Sequence, residues 1–175
     1  MKLIPVLALS FCVACLPCAL SAQIPKYEIS VAGGVSQFDA AGTGTAPIVA
    51  VRLAGLIGGN WLLGDLGVSY ASLDEQVTAD NTRTGVFEGQ LQVQLPLARF
   101  RPYIGAGGGS VRYFNNDGGR GSSARTASAS VGLRFAFTPA WLFRGEMRLR
   151  TWDAGNDAGF HNSSADFTAG LGFAF

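Results

Sequence analysis

The single histidine of this 175-residue sequence, His161, stands two positions before Ser163 in the stretch GFHNSSADF. A histidine beside a serine can act as general base and nucleophile, and Asp166 is the nearest downstream acid that could orient it. The stretch is also rich in Asn, Ser and Gly, which are typical of loops. The favoured interpretation is therefore a solvated loop histidine, and the sequence predicts no catalytic residue and no enzyme.

Metal, thiol and phosphate chemistry have equally weak support. All three cysteines (Cys12, Cys15 and Cys18) lie in the first 22 residues. The glycine-rich stretch 105–110 lies within a predicted strand with no helix after it, so it does not indicate a phosphate-binding loop. Acidic residues are scattered through the predicted loops without the spacing of a calcium site. We expect no cofactor and no metal, and interpret these acids as solvated: Asp39, Asp74, Glu75, Asp80, Asp117, Asp153 and Asp157.

Residues 1–22 have the layout of a secretory signal peptide: Lys2 near the start, an apolar run, and small residues at the end. Cleavage after Ser21 and cleavage after Ala22 both fit the pattern. A membrane anchor and a lipoprotein signal at Cys15 are the alternatives. The remaining chain, 23–175, is predicted to be one domain. Without Lys2 it has 12 basic residues (13 − 1) and 12 acidic ones, a balance that gives no reason to expect a nucleic-acid partner.

Charged side chains recur at every second position in WLFRGEMRLRTWD, residues 141–153. Arg144, Glu146, Arg148 and Arg150 share one parity, and the positions between them are uncharged. Successive side chains of a β-strand point to opposite faces, so this period of two predicts a strand with one ionic and one apolar face.

The same alternation runs through the whole chain after Gln23. Eight segments show it, and the connections between them are alternately short and long, as in a meander. The fifth segment has a nearly all-glycine centre, where the period is weak. The predicted strands are 26–38, 47–57, 61–71, 84–97, 101–114, 125–137, 141–153 and 165–175, and the long links are 39–46, 74–83, 115–124 and 153–164.

The composition indicates which face meets lipid. Charged residues make up only 14% of the sequence and hydrophobic residues 48%, whereas a typical soluble domain has about 25% charged residues. A charged residue facing lipid at mid-bilayer costs about 2–4 kcal/mol, so the ionic face of residues 141–153 must face inward. Open strand edges are also unfavourable in lipid, so the sheet must close. The prediction is an all-β fold, an eight-stranded antiparallel up-and-down transmembrane β-barrel.

Two sets of side chains follow from this orientation. The first is a lumen charge network, in which arginines and carboxylates pair inside the barrel: Glu28, Arg52, Asp65, Glu88, Arg112, Arg134, Arg144, Glu146 and Arg148, with Arg150 left open between the lumen and the loop mouth. The second is a pair of aromatic girdles at the two membrane interfaces: Tyr27, Tyr70, Phe87, Tyr103, Tyr113, Phe137, Trp141, Phe167 and Phe173.

RPYIGAGGG at the start of the fifth segment and the aromatic ending LGFAF resemble the outer-membrane β-barrel superfamily, which includes the transmembrane domain of outer membrane protein A and opacity-type surface proteins. The resemblance covers residues 24–175 and implies a location in the outer membrane of a Gram-negative bacterium. The terminal Phe175 is similar to the signature that the barrel assembly machinery recognises. Outer-membrane lipid and lipopolysaccharide are the partners expected from this resemblance, together with an unidentified extracellular partner of the long loops.

The leading functional hypothesis is a non-enzymatic integral barrel with a structural or surface-interaction role and at most a narrow pore. A lipid-modifying enzyme of the lipid A deacylase type is the second hypothesis. A soluble lipocalin-like carrier, with its apolar face inside, is the third.

Overall fold

Eight long strands, each pairing with its neighbours in sequence, make up the computed structural model of the chain. It describes residues 25–38, 44–72, 83–114, 123–152 and 163–175. The predicted signal peptide, His161 and the listed loop acids lie outside these residues. The strands are β1 (Tyr27–Phe38), β2 (Gly44–Gly58), β3 (Leu62–Ser72), β4 (Arg83–Gln94), β5 (Phe100–Phe114), β6 (Ser123–Ala136), β7 (Trp141–Trp152) and β8 (Ser163–Ala174).

All pairings are antiparallel, and β1 pairs with β8 to close the sheet into a barrel. This confirms the predicted eight-stranded up-and-down barrel. The described part of the chain contains no helix of the length and apolar character that a membrane crossing needs. In the closed sheet every strand pairs with a neighbour on both sides, as a lipid environment demands.

The short connections lie at one end of the barrel. They follow β2, β4 and β6, and two of them contain a residue with positive φ: Gly59 at 53° and Ala98 at 52°. The long connections lie at the opposite end, and in outer-membrane barrels these are the extracellular ones.

Strand β2 begins at Gly44, three residues before the predicted start, and includes Pro47. Proline normally interrupts a sheet because it has no N–H to donate. Pro47 pairs with Val35 of β1, but the pairing of β2 with β3 begins only at Ile48. One side of Pro47 therefore has no neighbouring strand, and the nitrogen without a hydrogen can lie there.

The two faces of the sheet have inverted chemistry relative to a water-soluble protein. Large apolar side chains cover the outside, such as Val31 at 60% and Leu91 at 60% exposure, while Arg134, Arg144 and Arg148 are each 1% exposed inside. A soluble lipocalin-like carrier would show the opposite arrangement, so that hypothesis was wrong. Hydrocarbon is the environment that makes this outer surface favourable.

Strand β5 departs from the predicted facing. Tyr103 and Tyr113, predicted as girdle residues, are 2% and 6% exposed and point into the lumen, whereas Arg112, predicted in the lumen, is exposed on the outside. The three predictions were wrong together because all of them depend on which parity of this one strand faces inward. Register with β4 decides the facing: Tyr103 lies beside the buried Gln94, and Gly109 beside the buried Glu88.

The predicted girdle residues of the other strands lie on the outer surface. The following are all between 40% and 57% exposed: Tyr27, Tyr70, Phe87, Phe137, Trp141, Phe167 and Phe173. Phe175 is also on the outer surface, at 60% exposure. Trp61, Phe100 and Phe114 are further exposed aromatics that the sequence interpretation did not assign to a girdle.

Candidate functional site: the sealed lumen

Ten charged side chains fill the middle of the barrel, five arginines and five carboxylates. Together they are called the lumen network: Glu28, Arg52, Asp65, Glu88, Arg134, Arg144, Glu146, Arg148, Arg150 and Asp166. All are less than 9% exposed, and their formal charges cancel. Balanced pairing is the way in which ionised groups are stabilised away from bulk water.

Glu146 is one of three carboxylates that each pair with three arginines, together with Asp65 and Glu88. Its Oε2 accepts hydrogen bonds from Arg144 Nη2 at 2.8 Å and from the Tyr103 hydroxyl at 2.6 Å. Its Oε1 accepts from Arg148 Nε at 2.8 Å and lies 3.2 Å from Arg52 Nη2. Three arginines from β2 and β7 are thus tied to one acid.

Asp65 and Glu28 extend the network toward the short-connection end. Arg144 Nη2 lies 2.8 Å from Asp65 Oδ2, and Arg134 donates from Nε to Glu28 Oε2 at 2.8 Å. Arg134 also donates from Nη2 to Gln92 Oε1 at 2.6 Å. These bonds join β1, β3, β4, β6 and β7 across the interior.

Glu88 and Asp166 extend the network toward the long-connection end. Arg150 donates two hydrogen bonds to Glu88, Nη2 to Oε1 at 2.7 Å and Nε to Oε2 at 3.2 Å, and Arg148 also pairs with Glu88. Arg150 pairs in addition with Asp166, which accepts from the Ser36 hydroxyl at 2.5 Å. Arg150 therefore belongs to the lumen and not to the loop mouth.

Tyr103 contacts the network through both its hydroxyl group and its aromatic ring. Its hydroxyl accepts from Arg144 Nε at 3.0 Å while donating to Glu146, and the Arg134 guanidinium lies 4.2 Å from the ring centroid. Gly132, its neighbour on β6, leaves the space for the ring, since a Cβ there would overlap the Tyr103 Cζ and hydroxyl.

An apolar layer closes the lumen at the long-connection end. This apolar cap consists of Phe38, Ala46, Ile48, Ala71, Val86, Val111, Tyr113 and Trp152. Phe38 and Trp152 meet edge to face, with ring centroids 6.4 Å apart. The lumen thus contains two successive layers, an ion-paired middle and an apolar outer end.

The structure places eight of the nine predicted network residues inside the barrel, Arg112 being the exception. Sequence reasoning missed Asp166 as a lumen acid, although it shares the parity of the polar residues Ser164 and Thr168 on the same strand. It also missed the apolar cap. The available signal was that Phe38, Ile48, Val86 and Trp152 interrupt the polar parity of their strands at the same end.

Of the candidate catalytic group, only Ser163 and Asp166 lie within the described residues, and His161 lies outside them. Asp166 is 2% exposed and paired with Arg150 and Ser36. Ser163 is three positions away on β8, so its side chain starts from the opposite face of the strand. Within the ranges that the structure covers, no group of three or more His, Cys, Asp and Glu side chains is arranged to hold a metal ion.

A closed barrel with an apolar outside and an ion-paired inside defines the class of transmembrane β-barrels. The family model of the outer membrane protein beta-barrel domain matches residues 6–175, so the chain belongs to this family and is an outer-membrane protein.

Solved structures share the fold at low sequence identity. Neisserial surface protein A (NspA) has a TM-score of 0.73 at 15% identity, over 85% of this chain and 97% of that one. Ail, the attachment invasion locus protein of Yersinia pestis, has a TM-score of 0.56 at 10% identity, over 86% and 99%. The outer membrane enzyme PagL has a TM-score of 0.56 at 13% identity, over 85% and 99%. No curated protein matches the sequence.

Proposed function

We propose that this protein is a non-enzymatic outer-membrane scaffold with a closed lumen, which holds its four long connections at the cell surface for interaction. The filled lumen is the observation that carries the proposal. Arginine–carboxylate pairs span the middle of the barrel, and the apolar cap lies above them. Such a lumen holds the strands together and leaves no continuous aqueous path between the two ends.

Solute uptake by vesicles tests the closed lumen. Folded protein in phospholipid vesicles should not accelerate the uptake of a small sugar above the rate of protein-free vesicles, because the network and the cap fill the passage. An open porin inserted at the same protein-to-lipid ratio is the positive control. Uptake that rises in proportion to the amount of this protein would contradict the proposal.

A lipid-modifying enzyme is the alternative, and the fold shared with the outer membrane enzyme PagL is the observation in its favour. Against it, Asp166 is engaged by Arg150 and Ser36 in the lumen and does not lie on the face from which Ser163 starts. Lipid A incubated with the folded protein should keep all its acyl chains. Deacylation by the wild type that His161→Ala abolishes would establish the enzyme.

A further inference from the structure

The exposed charges of the described residues are all of one sign. The five carboxylates in this part of the chain are buried in the lumen network, and the exposed ionised side chains are all basic: Lys26, Arg83, Arg99, Arg112 and Arg125. Lys26 and Arg99 lie at the short-connection end. The other three lie at the opposite end, on the neighbouring strands β4, β5 and β6.

These three arginines are neighbours on the outer face. Arg112 pairs with Gly85 on β4 and with Ser123 on β6. Arg83 and Arg125 are each two residues from those partners and therefore project from the same face. Diagonal neighbours of this kind lie about 7–8 Å apart, within reach of long side chains. Arg83, Arg112 and Arg125 are called the outer arginine cluster below.

The cluster lies at the level of the aromatic residues that mark the outer membrane interface. Gly85, the partner of Arg112, pairs on its other side with the exposed Tyr70. Ser110, the partner of Arg125, pairs on its other side with the exposed Phe87. Aromatic residues of a girdle sit at headgroup level, and the cluster is therefore positioned where lipid phosphates are found.

The cluster has no anionic partner among the described strands. The five carboxylates of the described residues are buried in the lumen network, on the other face of the sheet, so the positive charge of the three arginines is free to attract an anion from outside. Guanidinium groups bind phosphate through paired, charge-assisted hydrogen bonds, while their aliphatic stems lie along the apolar surface.

We propose that the outer arginine cluster binds the phosphorylated headgroup of an outer-leaflet glycolipid, lipid A. The site faces the bilayer and uses none of the lumen residues, so it does not depend on whether the lumen is closed or whether the protein is an enzyme. It would hold the barrel in a shell of anionic lipid at its extracellular end.

Native mass spectrometry of the folded, detergent-solubilised full chain tests this site. Bisphosphorylated lipid A is titrated against the wild type and against a triple variant, R83Q/R112Q/R125Q. We expect the triple variant to bind about tenfold more weakly, as the loss of three exposed ion pairs implies. The matched control, K26Q/R99Q, removes exposed charges at the other end and should keep wild-type binding.

Three further comparisons separate the sources of anionic charge. Monophosphorylated lipid A should bind more weakly than the bisphosphorylated form, and phosphatidylcholine should not distinguish the wild type from the triple variant. Equal lipid A binding by wild type and triple variant would overturn the proposal. Inositol hexakisphosphate competing as well as lipid A does would also overturn it, because the site would then be one for soluble anions. Heat-modifiable migration verifies that each variant is folded. If the triple variant does not fold, R112Q alone, which removes the central arginine of the cluster, takes its place.

Discussion

Glu146 bridges Arg52, Arg144 and Arg148, so one carboxylate compensates charges on two strands. Each of these guanidinium groups is buried, and a buried cation that loses its partner has no water to replace it. Breaking such a pair costs about 3–5 kcal/mol, more than the pair contributes relative to apolar residues of similar shape. Removing Glu146 alone should therefore lower the free energy of unfolding more than replacing the paired residues together by apolar ones.

Glu146→Ala should lower the free energy of unfolding by about 3–5 kcal/mol, and Gln92→Ala by about 1–3 kcal/mol, the cost of one unsatisfied buried hydrogen-bonding group. Gln92 is the matched control because it is fully buried in the same lumen but carries no charge. Urea unfolding in detergent micelles, followed by circular dichroism, measures both. Equal midpoints for the two variants would contradict the claim that the three buried arginines depend on Glu146 for charge compensation.

In strand β5, the alternation of apolar and polar residues no longer predicts which side chains face the lumen. Large apolar residues occur on both parities, for example Ile104 and Val111, and residues 105–109 are glycine and alanine with almost no side chain to assign. Its facing is fixed instead by pairing with Gln92, Gln90 and Glu88 of β4, which lie opposite Gly105, Gly107 and Gly109. A Cβ at Gly105 would overlap the Gln92 side chain, and one at Gly107 or Gly109 would overlap the backbone of β4. Register of this kind is not encoded within the strand itself.

The facing of β5 can be measured with a spin label at Ala106, since the sequence has no cysteine after Cys18. Ala106 is exposed and pairs with the exposed Ala129 of β6. We expect labels on Ala106→Cys and on the control Ala129→Cys to be equally accessible to oxygen, which partitions into lipid, and poorly accessible to a water-soluble nickel chelate. If the label at position 106, but not the one at position 129, were immobile and inaccessible to oxygen, the facing assigned to β5 would be wrong.

The architecture of the whole molecule was predictable because one physical constraint repeats eight times. Every strand must present hydrocarbon outside and satisfy its polar groups inside, and the sequence records this as a period of two. The composition of the lumen followed for the strands with unbroken alternation, as in Arg144 and Arg148. The apolar cap was not predictable in this way, because Phe38 and Trp152 occupy inner positions of strands whose other inner positions are polar.

The proposed closure of the lumen depends on two barriers in series. The network joins strands from opposite sides of the barrel, and the apolar cap excludes water above it. Either barrier alone is expected to impede ions, because the charges of the network are paired and a layer of packed apolar side chains lies at the outer end. The loss of both, as in a variant combining Glu88→Ala, Arg148→Ala and Trp152→Ala, is the change expected to open a passage.

Single-channel recording in planar bilayers tests this most directly. Heat-modifiable migration and protease protection verify folding and insertion. Wild-type protein should then give no discrete openings over the baseline of the bilayer. The variant that combines Glu88→Ala, Arg148→Ala and Trp152→Ala should give openings whose size rises with salt concentration. Discrete, salt-dependent openings of a reproducible size from the wild-type protein would contradict the sealed lumen.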